Sequence, residues 1–213
     1  MFWRNGNSET EIEFDLPVRF RRRRTTPAMR SLVRESTLEP RHLILPLFVE
    51  EGIKEPVEIS TLPGVARIPE SHIAKHVKTA WDMGIRAVLL FGVSHHKDAE
   101  GSDTWHENGL VSRMIKAAKK AVPEMVVIPD TCFCAYTTHG HCGVMVNDHL
   151  DNDLTLQNLQ KQAVIAAEAG ADMIAPSAMM DGQVVAIRAA LDEAGFPDVG
   201  IMSYRGSCRQ IAD

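Results

Sequence analysis

A chain of 213 residues, 45% hydrophobic and 24% charged, has the composition of a globular protein with a real core, forming one large domain or two small ones. Its net charge of −5 gives no general pull toward nucleic acid or anionic membrane, and neither is expected as a partner. No apolar run reaches the ~18 residues of a membrane span, and the opening MFWRNGNSETEIEFDLPVRF lacks the apolar stretch of a signal peptide, so a cytoplasmic location is expected.

An acidic stretch (Glu9, Glu11, Glu13, Asp15) runs into a basic one, Arg19 and Arg21 to Arg24. No aromatic stacking pattern or further basic face follows, which favours a solvated or subunit-contacting arm over a nucleic-acid arm. Polar composition predicts that the first ~20 residues are mobile unless a partner orders them.

From residue 43 the chain alternates. LILPLFV (43–49) is a continuous apolar run bounded by charge, as in a strand buried on both faces. Residues 71–84 space Ile73, Val77, Ala80 and Trp81 at helical intervals, with Ser71 as the expected N-cap and Gly84 as the stop. AVLLFGV (87–93) is a second strand, 108–122 a helix, and MVVIP (125–129) a third strand. The helix 155–170, strand 172–177, helix 182–195 and strand 199–204 complete the series. Helices closing on Gly84, Gly170 and Gly195 shortly before a strand predict left-handed C-caps with short return loops. Such alternation means a parallel sheet. The spacing leaves a doubly wound sheet and a barrel both open, although no glycine-rich dinucleotide turn follows the first strand.

The chemistry gathers in DTCFCAYTTHGHCG (130–143), which holds three of the four cysteines. In a reducing compartment, clustered cysteines point to metal or redox chemistry, and the C-x-x-C of a redox pair is absent. Cys132, Cys134 and Cys142 are soft donors suited to Zn²⁺. Three thiolates leave a fourth position open for water or a substrate oxygen, as in catalytic zinc; alternatively His139 or His141 fills it and the site is structural. His95-His96 reads as a solvated pair, and Lys119, Lys120 and Lys161 as solvated helix faces.

In this context the chain resembles the porphobilinogen synthase (delta-aminolevulinic acid dehydratase) family over residues 21–204. The resemblance is carried by RRRRTTPAMRSLVRES, LILPLFVEEG, LPGVARIP, AVLLFGV with KDAEGS, the cysteine stretch, and EAGADMIAPSAMMDG through IMSY. It implies an α/β fold of the (βα)8 TIM-barrel family with about the first five βα units present, residues 1–40 forming an N-terminal arm and 41–213 the partial barrel. It also implies a homo-oligomer, an octamer in the family. The implied reaction is a hydro-lyase condensation of two 5-aminolevulinate molecules to porphobilinogen in heme and tetrapyrrole biosynthesis, assisted by Zn²⁺. Mg²⁺ is an allosteric ion in part of the family. Carried over by motif, Cys132, Cys134 and Cys142 are the metal ligands, while Asp130 and Ser177 line the substrate site. Read without the resemblance, those two are a strand-end cap and a turn hydroxyl.

Two departures stand out. Ala178 occupies the place of the family's aspartate in APSDMMDG, and Ser207 occupies the Schiff-base lysine position of SYSAK. The change after Tyr204 is read as a frameshift or truncated gene model. The expectation is a chain inactive by itself, with exposed edges at its first and fifth strands; the alternative is a non-catalytic zinc-binding or subunit-interaction protein derived from the enzyme.

Overall fold

A computed structural model describes residues 17–204. The expected mobility of the N-terminus falls mainly on residues 1–16, and Ser207 also lies outside the described range. The chain divides into two compact units with the boundary between Leu38 and Glu39. In the first, Arg21 to Arg24 lie on an exposed 3-10 turn, Phe20–Arg24, with the Arg23 guanidinium 5.4 Å from the Phe20 ring centroid. The short helix α1 (Pro27–Leu32) follows, its first turn capped by Thr26 Oγ1, which accepts from the Met29 N–H at 3.1 Å.

The second unit is built on a seven-stranded sheet. Its elements are β1 (Ile44–Glu50), β2 (Val57–Glu58), β3 (Ala66–Pro69), α2 (Ile73–Asp82), β4 (Ala87–Val93), α3 (Leu110–Ala121) and β5 (Val126–Thr131). There follow a hairpin, β6 (Val144–Val146) with β7 (His149–Asp151), then α4 (Asn152–Glu168), β8 (Met173–Pro176), α5 (Gln183–Glu193) and β9 (Gly200–Ile201). The sheet order is β2-β3-β1-β4-β5-β8-β9, and every pair from β3 to β9 is parallel.

This order decides between the two architectures left open by spacing. In a doubly wound sheet a helix-linked strand crosses to the other side of the first, whereas here β3, reached from β1 without a helix, takes that side and the helix-linked strands β4, β5, β8 and β9 add in one direction from β1. With right-handed crossovers, unreversed addition puts every helix on one face. Consecutively, α2 packs on α3, α3 on α4 and α4 on α5, as in the outer layer of a βα barrel. The sheet is open, a partial barrel.

Burial explains the continuous apolar strands. Val49, Val88, Leu90, Val127 and Ile174 are buried beneath Ile73 and Val77 of α2, Met114 and Ile115 of α3, Leu159 and Ala163 of α4, and Ile187 and Leu191 of α5. Gly84, Gly170 and Gly195 adopt φ of 89°, 102° and 84°, the left-handed stops expected of them.

Other details differ from expectation. Ser71 does not cap α2: it sits inside a 3-10 turn, Glu70–His72, that leads into the helix. The expected open edge at the first strand is half covered, because β3 pairs with Phe48 to Glu50 of β1. Lys120 and Lys161 are exposed, but Lys119 is not a solvated face. Its Nζ donates to both Asp172 carboxylate oxygens (3.0 and 3.1 Å) and to the Met125 carbonyl (3.1 Å), while Asp172 also accepts from the Val127 N–H at 2.7 Å. This bracket ties the end of α3 to the starts of β5 and β8. Lys119→Met is expected to cost about 0.5–1 kcal/mol because the pair is partly solvated. Asp172→Ala, which also strips the Val127 amide of its acceptor, should cost about 1–3 kcal/mol by urea denaturation. Among the described residues no helix is long and apolar enough to cross a membrane.

Candidate metal and substrate site

The strand β5 runs two residues further than its apolar core suggests. Asp130 is therefore a strand residue, paired in register with Ala175 of β8, and Cys132 opens the loop beyond it. Both lie at the C-terminal end of the parallel sheet, where the strands of a barrel present their chemistry.

The loop then doubles back. Tyr136 and Thr137 donate their amides to the Phe133 carbonyl (2.8 and 3.0 Å), closing a turn over Phe133–Thr137 that contains Cys134. Thr137 Oγ1 donates to the His141 carbonyl at 3.0 Å. After Cys142 the chain enters the β6–β7 hairpin, whose turn residues Asn147 and Asp148 have φ of 50° and 61°, the conformation of a two-residue I′ turn. Asp151 then caps α4 by accepting from the Leu154 N–H at 2.9 Å.

The outcome is convergence. The sulfurs of Cys132, Cys134 and Cys142 all lie within 4.8 Å of one another, Cys132 buried and the other two half-buried. Cys132 Sγ and Cys134 Sγ are 3.6 Å apart, far beyond the ~2.05 Å of an S–S bond. Sulfurs bound to one tetrahedral zinc at about 2.3 Å each stand about 3.8 Å apart, so this donor set fits a thiophilic ion in chemistry and in size.

The histidines do not complete the group. His139 uses both ring nitrogens on backbone: Nε2 bonds the Ala99 carbonyl at 2.9 Å, and Nδ1 accepts from the His141 N–H at 3.1 Å. Among the described residues, the metal-competent cluster consists of the three cysteines without a histidine.

Beside the thiols, Asp130 Oδ1 accepts from Ser177 Oγ at 2.6 Å and from the Tyr204 hydroxyl at 2.5 Å. Sequence patterns missed Tyr204, which the periodicity reads as one more strand residue, although it too stands at a strand's C-terminal end. Burial, then the Asp130 charge and hydrogen bond, push its phenol far above the ordinary range. Tyr136 is buried and shifted the same way, first by burial and then by the nearby carboxylates and thiols. Its hydroxyl passes directly over Gly92 of β4, where a Cβ would collide with it. Ala178, in place of the motif's aspartate, is buried in the apolar core.

His95 and His96 are exposed as expected, yet each faces a carboxylate: His95 Nε2 lies 3.2 Å from Glu50 and His96 Nε2 3.6 Å from Glu51. Arg113 bridges Glu51 and Glu70 at 2.8 Å each. Burial alone would raise the Glu51 carboxyl, but the His95 amide and Arg113 outweigh it and hold it below its usual range.

Comparison with known proteins gives a consistent answer. A family model described as delta-aminolevulinic acid dehydratase matches residues 17–207. The delta-aminolevulinic acid dehydratase of Escherichia coli K12 is 57% identical over 190 residues, covering 89% of this chain and 59% of that protein. The protein of the same name from Ruminiclostridium josui is 46% identical over 184 residues, 86% of this chain and 90% of its own length. The Toxoplasma gondii ME49 enzyme, solved in complex with the reaction product porphobilinogen, superposes with a TM-score of 0.83 at 38% identity, covering 89% of this chain and 55% of that one. This chain thus spans under two thirds of the E. coli relative's length. With the sheet order, the thiol cluster and these likenesses in agreement, the chain belongs to the delta-aminolevulinic acid dehydratase family.

Proposed function

We propose that this chain carries the metal-binding part of a porphobilinogen synthase site, serving the condensation of two 5-aminolevulinate molecules with loss of two waters. The observation that carries the reading is the convergence of three thiols within 4.8 Å at the sheet's C-terminal end, next to the Asp130–Ser177 pair. Cys132, Cys134 and Cys142 would hold Zn²⁺, and bound there it supplies Lewis acidity toward a substrate carbonyl. A role for Mg²⁺ rests on the family resemblance alone. The Asp130 carboxylate, held by two hydroxyls, is oriented to receive a proton or an ammonium group. Residues 1–40 are read as an arm toward a neighbouring subunit of a homo-oligomer.

Condensation of an amine with a ketone also requires a lysine of lowered pKa to form a Schiff base. All lysines of the chain lie in the described region; seven are exposed and Lys119 is engaged with Asp172. In sequence, the position of the family's lysine is taken by Ser207. These 213 residues are therefore proposed to bind metal without forming the Schiff base. Borohydride reduction in the presence of 5-aminolevulinate is expected to leave the intact mass unchanged. A trapped adduct on any lysine would overturn that division of labour.

The alternative, a non-catalytic zinc-binding or subunit-interaction protein, draws support from the same serine. Adding this chain to a full-length dehydratase tests the subunit-interaction form of the alternative, which requires a change in that enzyme's assembly or rate.

A further inference from the structure

Sequence motifs account for the thiols but not for what holds their loop in shape. Between Cys134 and Cys142 lie seven residues, held locally by the Phe133–Thr137 turn, the Thr137–His141 tie and the His141 N–H on His139 Nδ1. Beyond the core packing of Phe133, further support comes from the loop after β4, residues 94–102.

Asp98 is the centre of that support. Its Oδ1 accepts the backbone N–H groups of Glu100, Gly101 and Ser102 at 2.5 to 3.1 Å, and its Oδ2 accepts the Ser102 hydroxyl. Four donors on one half-buried carboxylate fix a tight turn. The same residue's backbone pairs with the cysteine loop: the Asp98 N–H donates to the Tyr136 carbonyl at 3.3 Å, and the Thr138 N–H donates to the Asp98 carbonyl at 2.9 Å. Asp98 and Thr137 thereby form a parallel bridge.

Two further contacts depend on the turn. Ala99 offers its carbonyl to His139 at 2.9 Å. Gly101, at φ 71°, lies so close that a Cβ there would sit 3.2 Å from Phe133 and 3.4 Å from Thr137 and Tyr136. The turn is packed against the chain on both sides of Cys134.

We infer that Asp98 is a positioning residue, whose carboxylate shapes the 98–102 turn that holds the cysteine loop in its metal-competent form. The inference rests on the metal reading above for its consequence, though not for its geometry. The donors also keep this carboxyl below its ordinary range despite the opposing effect of burial. Outer-shell partners of this kind typically cost about 10–100-fold in metal affinity when removed.

The test uses the whole chain in two arms. In metal-free protein, Asp98→Ala is expected to speed amide hydrogen exchange across residues 134–142 by about tenfold or more. Asp98→Asn keeps an oxygen acceptor for the three amides and should restore most of the protection. In the second arm, zinc affinity by chelator competition should fall about 10–100-fold in Asp98→Ala and recover in Asp98→Asn. Asp172→Ala, destabilised at the other end of the sheet, should bind zinc like the wild type. Unchanged exchange in Asp98→Ala overturns the inference whatever the metal does, as does an equal loss of affinity in Asp172→Ala. Failure of the wild type to bind zinc would instead overturn the metal reading, leaving the exchange arm to decide the role of Asp98.

Discussion

Replacing any one of Cys132, Cys134 or Cys142 by serine is expected to weaken zinc binding by more than about 100-fold, beyond the range typical of outer-shell changes. The reason is chemical. A thiolate is a soft, anionic donor that forms at accessible pH, whereas a serine hydroxyl stays neutral and is a poor ligand for this ion. Removing one of three thiolates leaves two, so two of the four tetrahedral positions rather than one fall to weakly held water. His139→Ala and His141→Ala are the discriminating controls. Since His139 spends both nitrogens on backbone, and the thiol cluster includes no histidine, neither change should alter the ligand set. Titration against a chromophoric chelator checks all five variants. A serine variant binding like the wild type would strike that cysteine from the set, and a large effect of His141→Ala would favour a closed, structural site.

Phe133→Ala should be the most damaging single change to stability in the site region, at about 3–5 kcal/mol. Phe133 lies between two of the thiols in sequence, yet it is fully buried. Its ring meets Trp105 edge-on at 6.0 Å, and Gly101 packs against it from the adjacent loop. Truncation removes a large apolar surface and leaves a cavity that the hydrogen-bonded turn cannot easily close. The side chain thus anchors the cysteine loop to the core, while its neighbours Cys132 and Cys134 bring their sulfurs together. Leu191→Ala, buried to the same degree on α5, is the comparison. Both variants should lose stability in urea denaturation, but only Phe133→Ala should also reduce zinc affinity. A loss below about 1 kcal/mol for Phe133→Ala would contradict the anchoring role.

The contrast between these residues shows which parts of the molecule a sequence can express. Strands such as AVLLFGV are legible as continuous apolar runs, and β4 spans the expected 87–93, with Val88 and Leu90 buried and the opposite face half-buried. Helix ends at Gly84, Gly170 and Gly195 are legible because a left-handed stop favours glycine. Cys132, Cys134 and Cys142 are legible because thiols cluster in polar loops for few reasons other than metal. What stays hidden is pairing across the chain. No local pattern says that β3 joins β1, that Asp98 braces Thr137 and Thr138, or that Lys119 grips Asp172. Tyr204 is hidden for the same reason: its hydroxyl meets Asp130 across 74 positions of sequence. The choice between barrel and doubly wound sheet depended on which strands the helices link and on consecutive helix packing, both properties of such distant pairings.

The most direct measurement is zinc K-edge X-ray absorption on the chain loaded with one equivalent of Zn²⁺. The expected spectrum has three sulfur neighbours at about 2.3 Å and one lighter oxygen neighbour. Two or fewer sulfurs, or an imidazole in the fourth position, would contradict an open three-thiolate site.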